Sequence, residues 1–199
     1  RFILSKVREK PLRAWALPFP GADKSIVERS QYYDYITNGK KPIAISTYFT
    51  IGSFVRAILV SVWASFFSLL CLIMPTRKLL QAYPDCCSFN MFKSAGPTKE
   101  QINEASFEYY IYGRGWGKDE QIDVHEPTKP GGVIVRGPDP GYIGTSACIV
   151  SAALAILEDK DVLPKQGGVY TTASAFRDTP IYEYLRTHGV TYEMIDSEE

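Results

Sequence analysis

Residues 51–74 read IGSFVRAILVSVWASFFSLLCLIM, with one charge, Arg56, near the start and no proline before Pro75. At the helical rise, 22 such residues reach about 33 Å, enough to cross the hydrocarbon core of a bilayer. Placed at 100° per residue, the pattern divides. Ser53, Ala57, Ser61, Ala64, Ser65 and Ser68 gather on one side, and Leu59, Val62, Trp63, Phe66 and Leu70 gather opposite. A small-residue side admits another backbone at close range, whereas a bulky side meets lipid or a protein core. Three readings stay open at this level. The run attaches the chain to a membrane or lipid surface through Phe54, Leu59, Trp63, Phe66, Phe67 and Leu70; or it is a core helix of a soluble domain with Arg56 paired; or it meets the sheet or a second copy, as in a homodimer. Continuous apolar runs of this length favour the first. In that reading Arg56 snorkels to the interface, and Arg77 and Lys78, just past Pro75, meet anionic headgroups.

Outward from this run, Pro11, Pro18 and Pro20 predict an irregular lead-in over 1–22 with Trp15, Leu17 and Phe19 as apolar anchors. Ser25 and Glu28 have capping-box spacing and predict a helix over 25–37 that ends near Asn38-Gly39. PIAISTYFTI (42–51), ASFEYYIY (105–112) and GVIVR (132–136) read as strands, two of them forming an antiparallel hairpin. TSACIVSAALAIL (145–157) reads as a buried helix with Gly144 and Thr145 as caps. A strand at 168–172, a helix at 179–187 and a strand at 190–195 complete the pattern. The expected class is α+β: a mixed, largely antiparallel sheet with packed helices, plus one long apolar helix.

The chain has 199 residues, 22 Lys+Arg against 22 Asp+Glu, and is 45% hydrophobic, which excludes a disordered segment. Balanced charge gives no bulk reason to bind nucleic acid, though it leaves room for a local basic patch. Cys71, Cys86, Cys87 and Cys148 form no CxxC and no metal-ligand spacing with His125 and His188, so a reducing compartment and no metal are expected. Cys86-Cys87 reads either as an oxidation or lipidation site or as a buried pair. The chain opens on Arg1 without a signal peptide or transit-like presequence, which is read as an excerpt of a longer protein.

Dinucleotide, P-loop, zincin and nucleophile-elbow motifs do not occur. The Gly113-Arg114-Gly115-Trp116-Gly117 cluster follows a strand and is expected to open a polar loop as turn chemistry, in preference to the alternative of a phosphate cradle. Arg136-Gly137-Pro138-Asp139-Pro140-Gly141-Tyr142-Ile143-Gly144-Thr145 runs from a strand into the Ala-rich helix. It reads either as a plain connection or as backbone donors for an anion or carbonyl, oriented by Arg136 and Tyr142. His125 and His188 read as surface or capping residues.

LPFPGADKSIVERSQ (17–31), GPTKEQINEASFEYYIYGRGW (96–116), GPDPGYIGTSACIVSAALAIL (137–157) and GGVYTTASAF (167–176) together resemble the C-terminal part of saccharopine dehydrogenase-like oxidoreductases, over nearly the whole chain. That family in turn resembles bacterial trans-acting enoyl reductases of glycolipid synthesis. The resemblance implies a substrate-side, dimerisation-type domain over 1–199, preceded in the full-length protein by an N-terminal Rossmann domain that binds NAD(P). It also implies a lipid-like substrate, and attachment to lipid droplets, membranes or mitochondria on the cytosolic side through 51–74. No family catalytic motif maps onto these residues. Asp23, Arg29, Tyr142 and Thr145 of the matched blocks join Arg136 as pocket candidates. Asp23 also reads as a helix-start carboxylate, Arg29 as an ion-pair partner and Thr145 as an N-cap.

Overall fold

The computed structural model describes residues 4–7, 11–88, 93, 95–117 and 126–195, so His125 lies outside the described residues. In chain order the elements are β1 (Ser5–Lys6), β2 (Trp15–Pro18), α1 (Asp23–Asn38), β3 (Tyr48–Ile51), α2 (Phe54–Leu72), α3 (Met74–Ala82), α4 (Pro84–Cys87) and α5 (Lys99–Glu104). There follow β4 (Ser106–Gly115), β5 (Lys129–Pro138), α6 (Ile143–Glu158), a 3-10 turn (Lys160–Val162), α7 (Thr172–Ala175), α8 (Ile181–Thr187) and β6 (Thr191–Ile195). The α+β class holds. All strand pairs among the described residues are antiparallel, in two three-stranded sheets rather than one mixed sheet. The contacts divide the chain into two compact units, Arg1–Ala22 with Ser46–Lys99, and Asp23–Ile45 with Glu100–Glu199.

In the first unit β2 is the central strand between β1 and β3. The lead-in expected to be irregular supplies this strand because Pro11 and Pro20 lie outside the ladder and Pro18 takes its last position, opposite Tyr48, and Ala14, Ala16 and Leu17 are buried. The strand expected over 42–51 is confined to Tyr48–Ile51. Ile43 instead donates its N–H to Gln31 Oε1, off any ladder. α2 starts against this sheet: Ala57 is fully buried and Phe54 packs on Trp15, ring centroids 4.5 Å apart.

In the second unit β4 and β5 form a ten-residue hairpin, Ser106 opposite Pro138 and Gly115 opposite Lys129, and β6 adds to the other side of β5. Gly113 and Gly115 therefore lie inside β4, and the expected turn there does not form. α6 buries Gly144, Ala147, Ser151 and Ala155, spaced at three and four residues, and packs on β5 and α8. A Cβ at Gly144 would come 2.9 Å from the Asp139 carbonyl oxygen, so this position admits only glycine without a shift. His188 bridges the two helices from the end of α8, with Nδ1 2.7 Å from the Tyr184 carbonyl and 3.3 Å from Ser151 Oγ. That is the capping role expected of it.

α1 begins at Asp23, two residues before the expected Ser25 cap, and Glu28 pairs with Lys24 at 3.5 Å instead of closing a capping box. Its C-terminal stop is where expected, at Gly39, whose φ of +67° is the left-handed conformation glycine adopts freely. The expected strand at 168–172 does not form either. Thr171 serves as the extended N-cap residue of α7 and accepts the N–H groups of Ser174 and Ala175 on its carbonyl.

Candidate functional site

One face of α1 carries Ile26, Ser30, Tyr33, Asp34 and Thr37 at three- and four-residue spacing, which lines them up along the helix. This face forms one wall of a cleft of about 930 Å³. Val162, Leu163, Phe176, Arg177, Ile181 and Leu185 line the rest of it. Gln31, Asn38, Lys40, Thr172, Ser174 and Asp178 line it as well, so its walls mix aliphatic and aromatic side chains with nearly as many polar ones.

The polar groups are tied across the cleft. Ser30 Oγ lies 2.6 Å from Thr171 Oγ1, which in turn lies 2.9 Å from Ser174 Oγ. Arg177 pairs with Asp34, whose carboxylate also accepts the Asn38 amide at 2.7 Å and has Lys40 Nζ at 3.9 Å. The Asn38 hydrogen bond holds the Asp34 carboxyl below its usual range, and Arg177 adds to this against the opposing effect of burial. Tyr33 meets Tyr170 edge-on at 5.5 Å. Burial and the neighbouring Tyr33 raise the Tyr170 phenol, which donates to the Gln166 carbonyl. A smaller cavity of about 320 Å³ adjoins this pair, lined by Arg29, Tyr32, Tyr33, Ile36, Val169 and Tyr170.

The structure thus brings together two of the quoted blocks, the one containing residues 23–31 and GGVYTTASAF. It does not bring the five candidate residues together. Arg29 lines the smaller cavity and makes no ion pair among the described residues, contrary to the ion-pair reading. Asp23 sits exposed in the first turn of α1, as a helix-start carboxylate does. Arg136 is not available to orient an anion, because Glu108 and Glu193 on the flanking strands engage its guanidinium. Glu108 is held low by hydrogen bonds from Tyr110 and then from Arg136.

Tyr142 is exposed, and Thr145 donates to the Pro140 carbonyl at 2.8 Å instead of capping. The N-cap position is Tyr142, and the Asp139 carboxylate, three residues before it, accepts the N–H groups of Tyr142 and Ile143. A carboxylate there takes the donors an anionic ligand would need, so this helix start does not fit a pyrophosphate. The glycines of β4 do not fit one either, since Gly113 and Gly115 are opposite Gly131 and Lys129 in the ladder. Sequence reasoning missed Asp34 and Arg177: Ser30 and Asp34 are i, i+4 on one helix face, but nothing local says that this face receives GGVYTTASAF and the Arg177 that follows it.

On the other unit, α2 is long and apolar enough to cross a membrane by length and composition, and 6% of its most apolar stretch is buried. Leu59, Val62, Phe66, Leu69 and Leu72 are between 59% and 79% exposed. Phe54 is exposed as well, while Trp63, Phe67 and Leu70 are half-buried, with Trp63 and Phe67 stacked at 5.2 Å. Within this chain α2 is therefore not a core helix. Ser61, Ser65 and Ser68 donate to the carbonyls four residues back, at 2.7–2.8 Å, which satisfies their hydroxyls inside the helix. All four cysteines are free thiols, and Cys86 is exposed instead of sharing a buried pair.

A Caenorhabditis elegans protein named "Lipid droplet localized protein" is 46% identical over 96% of this chain and 46% of its own length. The human "Saccharopine dehydrogenase-like oxidoreductase" is 34% identical over 100% of this chain and 46% of its own length. The chain is homologous along its whole length to saccharopine dehydrogenase-like oxidoreductases. An Arabidopsis thaliana relative, "Probable mitochondrial saccharopine dehydrogenase-like oxidoreductase", is 34% identical over 60% of this chain and 26% of its own length. No family model and no solved structure matches the chain. The chain spans about half the length of these two animal relatives. Both α2 and the α1 cleft lie within the span shared with the human protein.

Proposed function

We propose that this chain forms the substrate-side part of an NAD(P)-dependent oxidoreductase acting on a lipid-like molecule, held by α2 at a lipid droplet or membrane surface. The observation that carries the reading is a 19-residue apolar helix with a single buried residue and most of its side chains exposed, in a chain homologous to oxidoreductases and to a lipid droplet protein. The name of the plant relative makes the mitochondrial surface the alternative address. Four free thiols fit the reducing, cytosolic side. NAD(P) supplies the hydride chemistry when bound, and residues outside these 199 hold it. The α1 cleft takes the apolar part of the substrate, and Arg29, in the adjoining cavity, faces a carboxylate or phosphate end.

One observation favours a second reading, a lipid-binding module without enzymatic activity. Asp34 and Arg177 neutralise each other in the cleft, so this carboxylate is a poor general base. Native mass spectrometry of the full-length protein purified from its own cells separates the two. NADP(H) and a lipid of defined mass retained together are expected. Lipid without nucleotide, where a known dehydrogenase keeps its cofactor, assigns the binding module, and retention of neither overturns both.

A further inference from the structure

The neutral chain is composed of two oppositely charged units. The unit that contains α2, Arg1–Ala22 with Ser46–Lys99, carries ten Lys and Arg against two acids, Glu9 and Asp85. The other unit, Asp23–Ile45 with Glu100–Glu199, carries twelve Lys and Arg against twenty Asp and Glu. From Ser46 to Pro84 there is no acidic residue at all. Arg56 is exposed in the first turn of α2, and Arg77 and Lys78 are exposed in α3, directly after it. Met74 and Leu79, also in α3, are exposed apolar residues beside these cations. Lys6 and Arg13 of the same unit are exposed too.

We propose that the α2 unit recognises an anionic phospholipid surface, with Phe66 and Leu69 entering the acyl layer and Arg56, Arg77 and Lys78 meeting the phosphates at the two ends of the helix. This rests on the anchoring role of α2 proposed above and adds the lipid class. Exposed apolar area alone would bind neutral and anionic lipid alike. A net excess of cations in the apolar unit, against a net excess of acids in the other, favours a negatively charged partner for the first and disfavours approach by the second. A Lys or Arg near an anionic leaflet strengthens partitioning about fivefold, so three together give about a hundredfold.

The test is co-flotation of the full-length protein with vesicles of phosphatidylcholine alone and of phosphatidylcholine with phosphatidylserine, at low and high salt. Binding about a hundredfold stronger to the anionic vesicles is expected, with the preference shrinking at high salt because mobile ions screen it. Arg56→Gln with Arg77→Gln and Lys78→Gln should remove the preference and leave the weaker binding to phosphatidylcholine. These three side chains are exposed, so the unfolding midpoint should not move. Equal binding of the parent protein to both vesicles, or a preference that survives the triple substitution, overturns the anionic recognition. In that case Phe66→Asp with Leu69→Asp still abolishes all binding and the anchor stands. Binding to neither vesicle overturns the anchor and the lipid class together.

Discussion

α2 and α6 are both apolar, Ala- and Ser-containing helices, and both carry a stripe of small residues. In α6 the stripe Gly144, Ala147, Ser151 and Ala155 is buried, while Ile149, Val150, Ile156 and Leu157 on the other side are exposed. In α2 only the first member of the stripe, Ala57, is buried. The hydroxyls differ in the same way. Ser151 finds a partner in His188, outside its own helix, whereas Ser61, Ser65 and Ser68 are satisfied by their own backbone. The helix starts differ too: the Asp139 carboxylate accepts the N–H groups of Tyr142 and Ile143 at the start of α6, and Ser53 makes no side-chain cap on α2. A small-residue stripe thus marks a close approach only where the chain supplies something to approach, as β5 and α8 do for α6.

The largest effect that sharpens this contrast is expected in α2. Phe66→Asp with Leu69→Asp places two charges where the acyl layer would be, at a cost of about 6 kcal/mol to insertion. Flotation of the full-length protein with droplets should be lost, while the urea unfolding midpoint stays where it was, since both side chains are exposed. A lowered midpoint with flotation retained would make α2 a folding element like α6 and break the comparison.

Next in size is Ala155→Leu in α6. Ala155 has no exposed surface, and an inserted isobutyl group there should destabilise the second unit by about 2 kcal/mol through overpacking. Urea unfolding measures this, and flotation should be unchanged.

The two helices also show what was legible in the sequence. The existence of α2, α6 and the β4–β5 hairpin follows from apolar runs and alternation, because those signals are local. Which side of α2 would be covered was not legible: Trp63 and Leu70, grouped with Phe66 on the bulky side, are half-buried while Phe66 is exposed. The strand expected at 168–172 failed for a related reason. Val169, Tyr170 and Thr171 have strand propensity, but Tyr170 packs on Tyr33 and Thr171 bonds to Ser30, partners some 140 residues away in sequence. Those same long-range contacts build the cleft, which is why Asp34 and Arg177 could not be paired from sequence. The engagement of Arg136 is hidden in the same way, because its two carboxylates lie on neighbouring strands, 28 and 57 residues away.

The smallest expected effect is the most discriminating, because it changes one hydroxyl in each helix. Ser151 is fully buried with its Oγ 3.3 Å from His188 Nδ1, so Ser151→Ala removes a tertiary hydrogen bond and should cost the second unit about 1 kcal/mol in urea unfolding. Ser65 donates only to the Ser61 carbonyl, one turn back, and is exposed. A serine bonded in this way slightly weakens a helix relative to alanine, so Ser65→Ala should leave the midpoint within about 0.5 kcal/mol of the parent and flotation equal or stronger. If Ser65→Ala cost as much as Ser151→Ala, the α2 hydroxyls would be meeting a protein partner, and the exposed helix would be a packing surface for another part of the full-length protein and not for lipid.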